Sequence, residues 1–357
     1  MKNALLVLLA LVMVIMCACG SFSASIPAAS APQSPSLNND APVTSQSANS
    51  DAFVLELGNE GNWVDGRHPS LESLLYVGEE IQKSTNGRYA FKIYPSAQLG
   101  YERDIMEMVL LGELPIGGLL TSFVSGVDPL FEVFEFPFLF RNPDHFWNVM
   151  DSDIGKEVMD TLPEYGLQGL AYHMSGMFGI ANTKLKVTTP DDLKGLKIRS
   201  TNAPLPVASL NACGAQATPV AFAEVYTGLQ QGTIDGLTTF AFGYYNSKSY
   251  EICHYISDVK MFTYTYPFFA NLDWWKSISA EDQAAIMAAM PAAVERNKVS
   301  IQECEDIANK AMADFGCELT PFGDIDFDAF VVAVQPVYDE YENVYGEWFE
   351  RIRAIPS

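Results

Sequence analysis

Between residues 189 and 240 the chain alternates in a way that a layered α/β domain accommodates and few other folds do. TPDDLKGLKIRSTN (189–202) reads as a turn and then a short strand ending in Arg199, with Leu196 and Ile198 facing one way and Lys197 and Arg199 the other. A short helix over 204–213 and a strand over 216–220 follow. In TPVAFAEVYTGLQQGTIDG (218–236), Phe222, Val225, Tyr226 and Leu229 share one helical face, Gly232 lies beyond its end as the cap, and 233–240 is the next strand. Neighbouring parallel strands of this kind bind ligands in the crevice at their C-terminal ends. A guanidinium placed there presents a rigid fork of donors that matches a carboxylate and keeps its charge. The unit points to capture of a small anion rather than to chemistry.

The first half of the body has the same grammar. Strand periods at 53–57, 89–94 and 116–120 alternate with helical periods at 70–84 and 102–111, which predicts a β-α-β-α-β unit and a largely parallel sheet. Residues 129–141, PLFEVFEFPFLFR, are dense in Phe131, Phe134, Phe136, Phe138 and Phe140, with Phe146 just beyond, and are assigned to core and interdomain packing. A helix carrying Val149, Ile154, Val158 and Met159 precedes a strand over 167–173. Ser279 caps a helix over 284–290, Pro291 opens another segment, and 294–315 is strongly helical; closing helices are expected over 327–337 and 338–352.

Residues 1–19 combine Lys2, an apolar run too short to span a bilayer, and small residues, as a secretory signal does. Ala18-Cys19 resembles a bacterial lipobox, with Met16-Cys17 departing from the usual preceding pair; acylation of Cys19 is the reading taken. Residues 20–52, rich in Ser, Ala, Pro and Asn, cannot bury enough apolar surface to order themselves and serve as a disordered tether. The formal charge of −23 disfavours nucleic acid and anionic lipid as partners and leaves the membrane to be reached through the lipid alone. Cys213, Cys253, Cys304 and Cys317 lack metal-ligand spacing and are read as free buried thiols. Histidines 68, 145, 173 and 254 are scattered, and no GxSxG, Walker loop, HExxH or strand-borne GxGxxG occurs, so no catalytic residue, cofactor or metal is assigned.

Four segments in register carry a resemblance. NGRYAFKIYPSAQLGYER (86–103), FEFPFLFRN (134–142), TPDDLKGLKIR and FAEVYTGLQQGTIDG are similar to segments of the solute-binding proteins of tripartite ATP-independent periplasmic (TRAP) transporters, in the dicarboxylate-binding receptor family. The resemblance spans about 53–350 and implies a two-lobed α/β fold, type II-like among periplasmic binding proteins, hinged by crossing strands, braced by a long helix and closing over a ligand cleft. It implies lobe I over 53–173 plus about 265–304 and lobe II over 174–264 plus about 305–357. It also implies a salt bridge from Arg199 to a ligand carboxylate, with Asn202 and Phe222 as further contacts.

This chain departs from its relatives where they often carry a second Arg and a polar Asn: Phe178 stands in GMFGIAN (176–182), and Thr239 follows Thr238, which cannot supply the acidic metal ligand some relatives use. With Phe178, Phe222 and Phe240 around one Arg, the expected ligand is a smaller or more apolar monocarboxylate. Trp63, His68, Trp274 and Tyr244 are further candidates for lining the cleft. The implied role is a monomeric, lipid-anchored extracytoplasmic receptor serving small and large integral-membrane TRAP subunits. The alternatives are a sensor of the same fold and an enzyme using the cleft.

Overall fold

The computed structural model describes residues 42–45, 52–59, 64 and 66–357. The signal segment, Cys19, most of the tether and Trp63 lie outside the described residues. Twelve strands are described, in three sheets: β1 (Val43–Thr44), β2 (Phe53–Gly58), β3 (Tyr89–Tyr94), β4 (Ile116–Gly118), β5 (Leu167–Met177), β6 (Gly179–Asn182), β7 (Lys197–Ser200), β8 (Gln216–Pro219), β9 (Gly236–Thr239), β10 (Tyr255–Ser257), β11 (Thr263–Asn271) and β12 (Glu318–Thr320). The sheet orders are β1-β3-β2, β4-β11-β5 and β12-β10-β6-β9-β7-β8.

The parallel unit expected in the first half forms only in part. β2 and β3 pair in parallel, but β4 pairs antiparallel with β11, which returns from much later in the chain. Ile-Gly-Gly in β4 is short, and its two glycines admit the rings of Phe268 and Phe269 against the backbone. Val43 and Thr44, inside the segment expected to be a tether, pair antiparallel with Ile93 and Lys92 of β3. The six-stranded sheet is mixed as well: β8-β7-β9 is parallel, and β6 runs antiparallel to both β9 and β10.

The Pro69–Ser84 helix buries Leu71, Leu74, Val77 and Ile81 against the β1-β3-β2 sheet. Gly78 lets it lie flat on β3, because a Cβ there would meet the Phe91 ring at 2.5 Å. Its carboxylate Glu72 accepts from Arg67 at 2.7 Å, Tyr76 at 2.6 Å and Ser300 at 2.6 Å, which ties it to the long helix Ala280–Phe315. That helix is one piece of 36 residues where two segments were expected, spanning about 54 Å at 1.5 Å per residue. Pro291 is tolerated inside it because the carbonyl left without a donor belongs to Met287, which is 41% exposed and open to water. Ser279 caps the start, accepting from the Asp282 amide at 3.1 Å, and Gly316 closes the end with φ 100°.

β5 runs past the expected 173 to Met177 and pairs antiparallel with β11 along nearly its whole length. At a register shift near Met174, the Asn297 amide takes over from the ladder: it accepts from the Met174 N–H at 3.0 Å and donates to its carbonyl at 3.0 Å and to Ser73 Oγ at 2.9 Å. The phenylalanine-rich stretch is core, as its assignment to packing requires. Phe131, Phe134, Phe136, Phe138, Phe140 and Phe146 are all buried, and the Phe136 ring lies 4.6 Å from that of Phe349 in the terminal helix. Two boundaries moved. Ser152 caps a new helix at Asp153–Met159, splitting the one expected, and the closing helices Phe327–Ala333 and Gln335–Ala354 divide at Val334 because Pro336 belongs in a first turn.

Candidate functional site

Most of the two motifs that frame Arg199 is scaffolding. Asp192 accepts from the amides of Thr188 at 2.9 Å and Thr189 at 2.8 Å, closing the turn before β7. Asp235 accepts from the Lys197 amide at 3.0 Å while its own amide donates to the Lys197 carbonyl at 2.7 Å, fixing the start of β7 against β9. The parallel ladder then sets Arg199 opposite Thr218 and Leu237, near the C-terminal end of its strand.

Arg199 is only 5% exposed. Its Nε donates to the Val220 carbonyl at 2.8 Å, and its guanidinium carbon lies 5.4 Å from the centroid of the Phe222 ring. Among the described residues no carboxylate forms an ion pair with it, whereas Arg67, Arg88, Arg296 and Arg351 all have one. Burial pushes its pKa down to about 10, opposed only by Tyr264. A desolvated cation without a counter-charge is costly to the fold, and it is what an anion-binding site requires.

An aromatic wall stands beside it. Phe178 stacks on Tyr264 with centroids 5.4 Å apart, Phe240 lies 5.4 Å from Tyr264, and Phe178 and Phe240 are 6.2 Å apart. Gly176, at φ 140°, permits this closeness, since a Cβ there would meet the Phe240 Cβ at 2.8 Å. Thr239 is buried in β9 opposite Gly179, and Thr238 Oγ1 donates to the Arg199 carbonyl at 3.4 Å.

Phe222 lies ahead of the helix whose face its spacing shares. It sits in the 3₁₀ turn Phe222–Glu224, 40% exposed, with its ring toward Arg199, while Val225 and Leu229 fill the core. Asn202 is exposed just before the Pro204–Ala212 helix; the N-cap there is Ala203, so Asn202 has no capping role. His68 caps the Pro69–Ser84 helix and meets Phe242 edge-on at 6.0 Å. Trp274 is not brought to the site. It packs on Phe53 and Tyr89, the first residues of β2 and β3, at the opposite end of those strands from His68. Tyr244 is core, 1% exposed. Tyr264 escaped sequence reasoning because it sits on β11, far along the chain from Arg199; its only signal was an aromatic run, TYTYPFF, in a strand period.

Cys213, Cys253, Cys304 and Cys317 are free, three of them fully buried. Among the described residues no three His, Cys, Asp or Glu side chains converge as a metal site would require, and no helix is long and apolar enough to cross a membrane.

Residues 61–344 match the family described as bacterial extracellular solute-binding protein, family 7. The chain belongs to that family. A solute-binding protein of Chromohalobacter salexigens is 30% identical over 280 residues, covering 78% of this chain and 83% of the relative. Among solved structures, a TRAP periplasmic solute-binding protein from the same species with bound D-glucuronate superposes with TM-score 0.75 at 29% identity, over 84% of this chain and 97% of that one. One from Polaromonas sp. JS666 bound to D-erythronate gives TM-score 0.76 at 26% identity, over 85% and 99%. The chain therefore has the two-lobed periplasmic-binding fold and is an extracytoplasmic solute receptor of a TRAP-type transporter, working with membrane subunits and not as an enzyme.

Proposed function

We propose that this receptor captures a small organic monocarboxylate, with Arg199 as its charged anchor and Phe178, Phe222, Phe240 and Tyr264 as walls against the ligand's apolar or ring face. The observation that carries the reading is the buried guanidinium with no carboxylate partner among the described residues. Thr239 and Asn202 supply polar contacts beside it. Lobe I comprises 53–173 with about 265–304, and lobe II comprises 174–264 with about 305–357; β5 and β11 cross between them. Closure follows from ligand contacts made only when the lobes meet. Residues 1–19 direct export, acylated Cys19 anchors the monomer to the outer face of the membrane, and the segment after it holds the receptor near its small and large transport subunits. Serving a transporter is preferred to sensing because the matched relatives are TRAP receptors.

The relatives crystallised with sugar acids define the competing ligand class. A thermal-shift screen over apolar and aromatic monocarboxylates, sugar acids, dicarboxylates and neutral sugars separates the readings, since a ligand at 100 times its Kd adds about 2.7 kcal/mol of stability. Stabilisation by monocarboxylates with an apolar face is expected. A response confined to uronates would move the ligand to that class, and a response confined to neutral sugars would overturn the carboxylate anchor.

A further inference from the structure

Lobe I carries, at the start of a helix, a histidine with one ring nitrogen that no described residue engages. His68 is 8% exposed and sits at the N-cap of the Pro69–Ser84 helix, where its Nδ1 accepts the Leu71 amide at 3.5 Å. That bond assigns the ring proton to Nε2. Burial pushes the imidazole down to about 4, against the pull of the Glu72 carboxylate, so the ring is neutral at physiological pH. Among the described residues no acceptor engages Nε2.

Its position follows from its neighbours. The ring meets Phe242, which lies two residues after Phe240 of the aromatic wall. Two residues after His68, Ser70 Oγ hydrogen-bonds Ser175 Oγ at 2.9 Å, and Ser175 lies in β5 three residues before Phe178, which directly follows the end of that strand. The helix start that carries His68 is thus held against the C-terminal end of β5, next to Phe178 of the aromatic wall.

We infer that His68 Nε2–H is a ligand hydrogen-bond donor contributed by lobe I, and that the solute therefore carries an uncharged oxygen acceptor, hydroxyl or carbonyl, away from the carboxylate held by Arg199. This rests on the proposed carboxylate anchor. A neutral donor favours an uncharged oxygen over a second carboxylate, because it brings no charge to offset the desolvation of another anion. It also gives the ligand a contact on each lobe, which a closing receptor needs.

The test uses the full receptor and carboxylates whose binding is first shown to depend on Arg199, each paired with an analogue lacking the distal oxygen. His68→Asn keeps the cap, since Asn Oδ1 can accept the Leu71 amide, but removes the Nε2 donor; His68→Gln restores a donor at similar reach. We expect His68→Asn to weaken the oxygen-bearing ligand ~10- to 100-fold, to leave the analogue within about threefold, and to be partly rescued by His68→Gln, with thermal stability held within a few degrees. In ¹⁵N-edited spectra the His68 Nε2–H resonance should shift on binding the oxygen-bearing ligand alone. Equal losses for ligand and analogue, or unchanged affinity in His68→Asn, would overturn the inference. If no carboxylate depends on Arg199, it is the anchor that fails, and this is seen before any His68 variant is made.

Discussion

Replacing Arg199 with Met should make the ligand-free receptor more stable while abolishing capture. The drop in the Arg199 pKa from 12.5 to about 10 corresponds to about 3 kcal/mol by which the fold disfavours the charged guanidinium at neutral pH. Met fills similar volume without charge. Against that gain stand the hydrogen bond to the Val220 carbonyl and the cation–π contact with Phe222, together worth about 1–2 kcal/mol. The net expectation is a stabilisation of about 1–2 kcal/mol, or ~2–4 °C in Tm for a domain of this size. Protein unfolded, dialysed and refolded to remove carried ligand should be compared by denaturant titration at pH 7. Adding the carboxylate should reverse the order, because wild type alone gains binding stabilisation. Were the ligand-free Met variant less stable than wild type by more than 1 kcal/mol, Arg199 would be a structural residue and the reasoning from its missing partner would fail.

Two further perturbations test the frame around the site. His173 is fully buried in β5, neither ring nitrogen is hydrogen-bonded among the described residues, and burial pushes its pKa down to about 3, from 6.5 when unfolded. The unfolded chain therefore takes up a proton below about pH 6.5 that the native state refuses until about pH 3, so this contribution to stability is complete above 6.5 and is lost on acidification. His173→Phe removes it: the stability difference between variant and wild type should move in the variant's favour by about 2 kcal/mol between pH 8 and pH 5 in urea titrations. A parallel pH profile for the two proteins would contradict the burial argument. Asn297→Ala leaves the Met174 N–H and carbonyl without partners at the strand irregularity and should cost about 2–4 kcal/mol by the same titration. A loss below 0.5 kcal/mol would show that β5 does not depend on the long helix there.

What could be read along the chain was the part governed by local period and capping. Ser279, Gly316 and the apolar face of the Pro69–Ser84 helix each announce an element within one window, and Arg199 at the end of a short strand could be singled out from its immediate surroundings. The partner of β4 could not, because Ile-Gly-Gly carries no sign that β11 will lie beside it. Pro291 argued for a helix break, yet the helix runs on through it, with the residue four before it, Met287, on the exposed side. Phe222 fits a helical face by spacing, yet a 3₁₀ turn ahead of Val225 rotates it out to the cation. Tyr264 and the wall it forms with Phe178 and Phe240 depend on β11 crossing β5, a tertiary fact with no sequence period of its own.

The carboxylate anchor is most directly tested by isothermal titration of the co-purified solute, or of the best acid from the screen, into wild type, Arg199→Lys and Arg199→Ala. Loss of the anchor should cost about 2–5 kcal/mol in Arg199→Ala, a fall in affinity of roughly 30-fold or more, with Arg199→Lys recovering only part because an ammonium lacks the planar fork. Affinity in Arg199→Ala within threefold of wild type would contradict the assignment of Arg199 as the site's anchor.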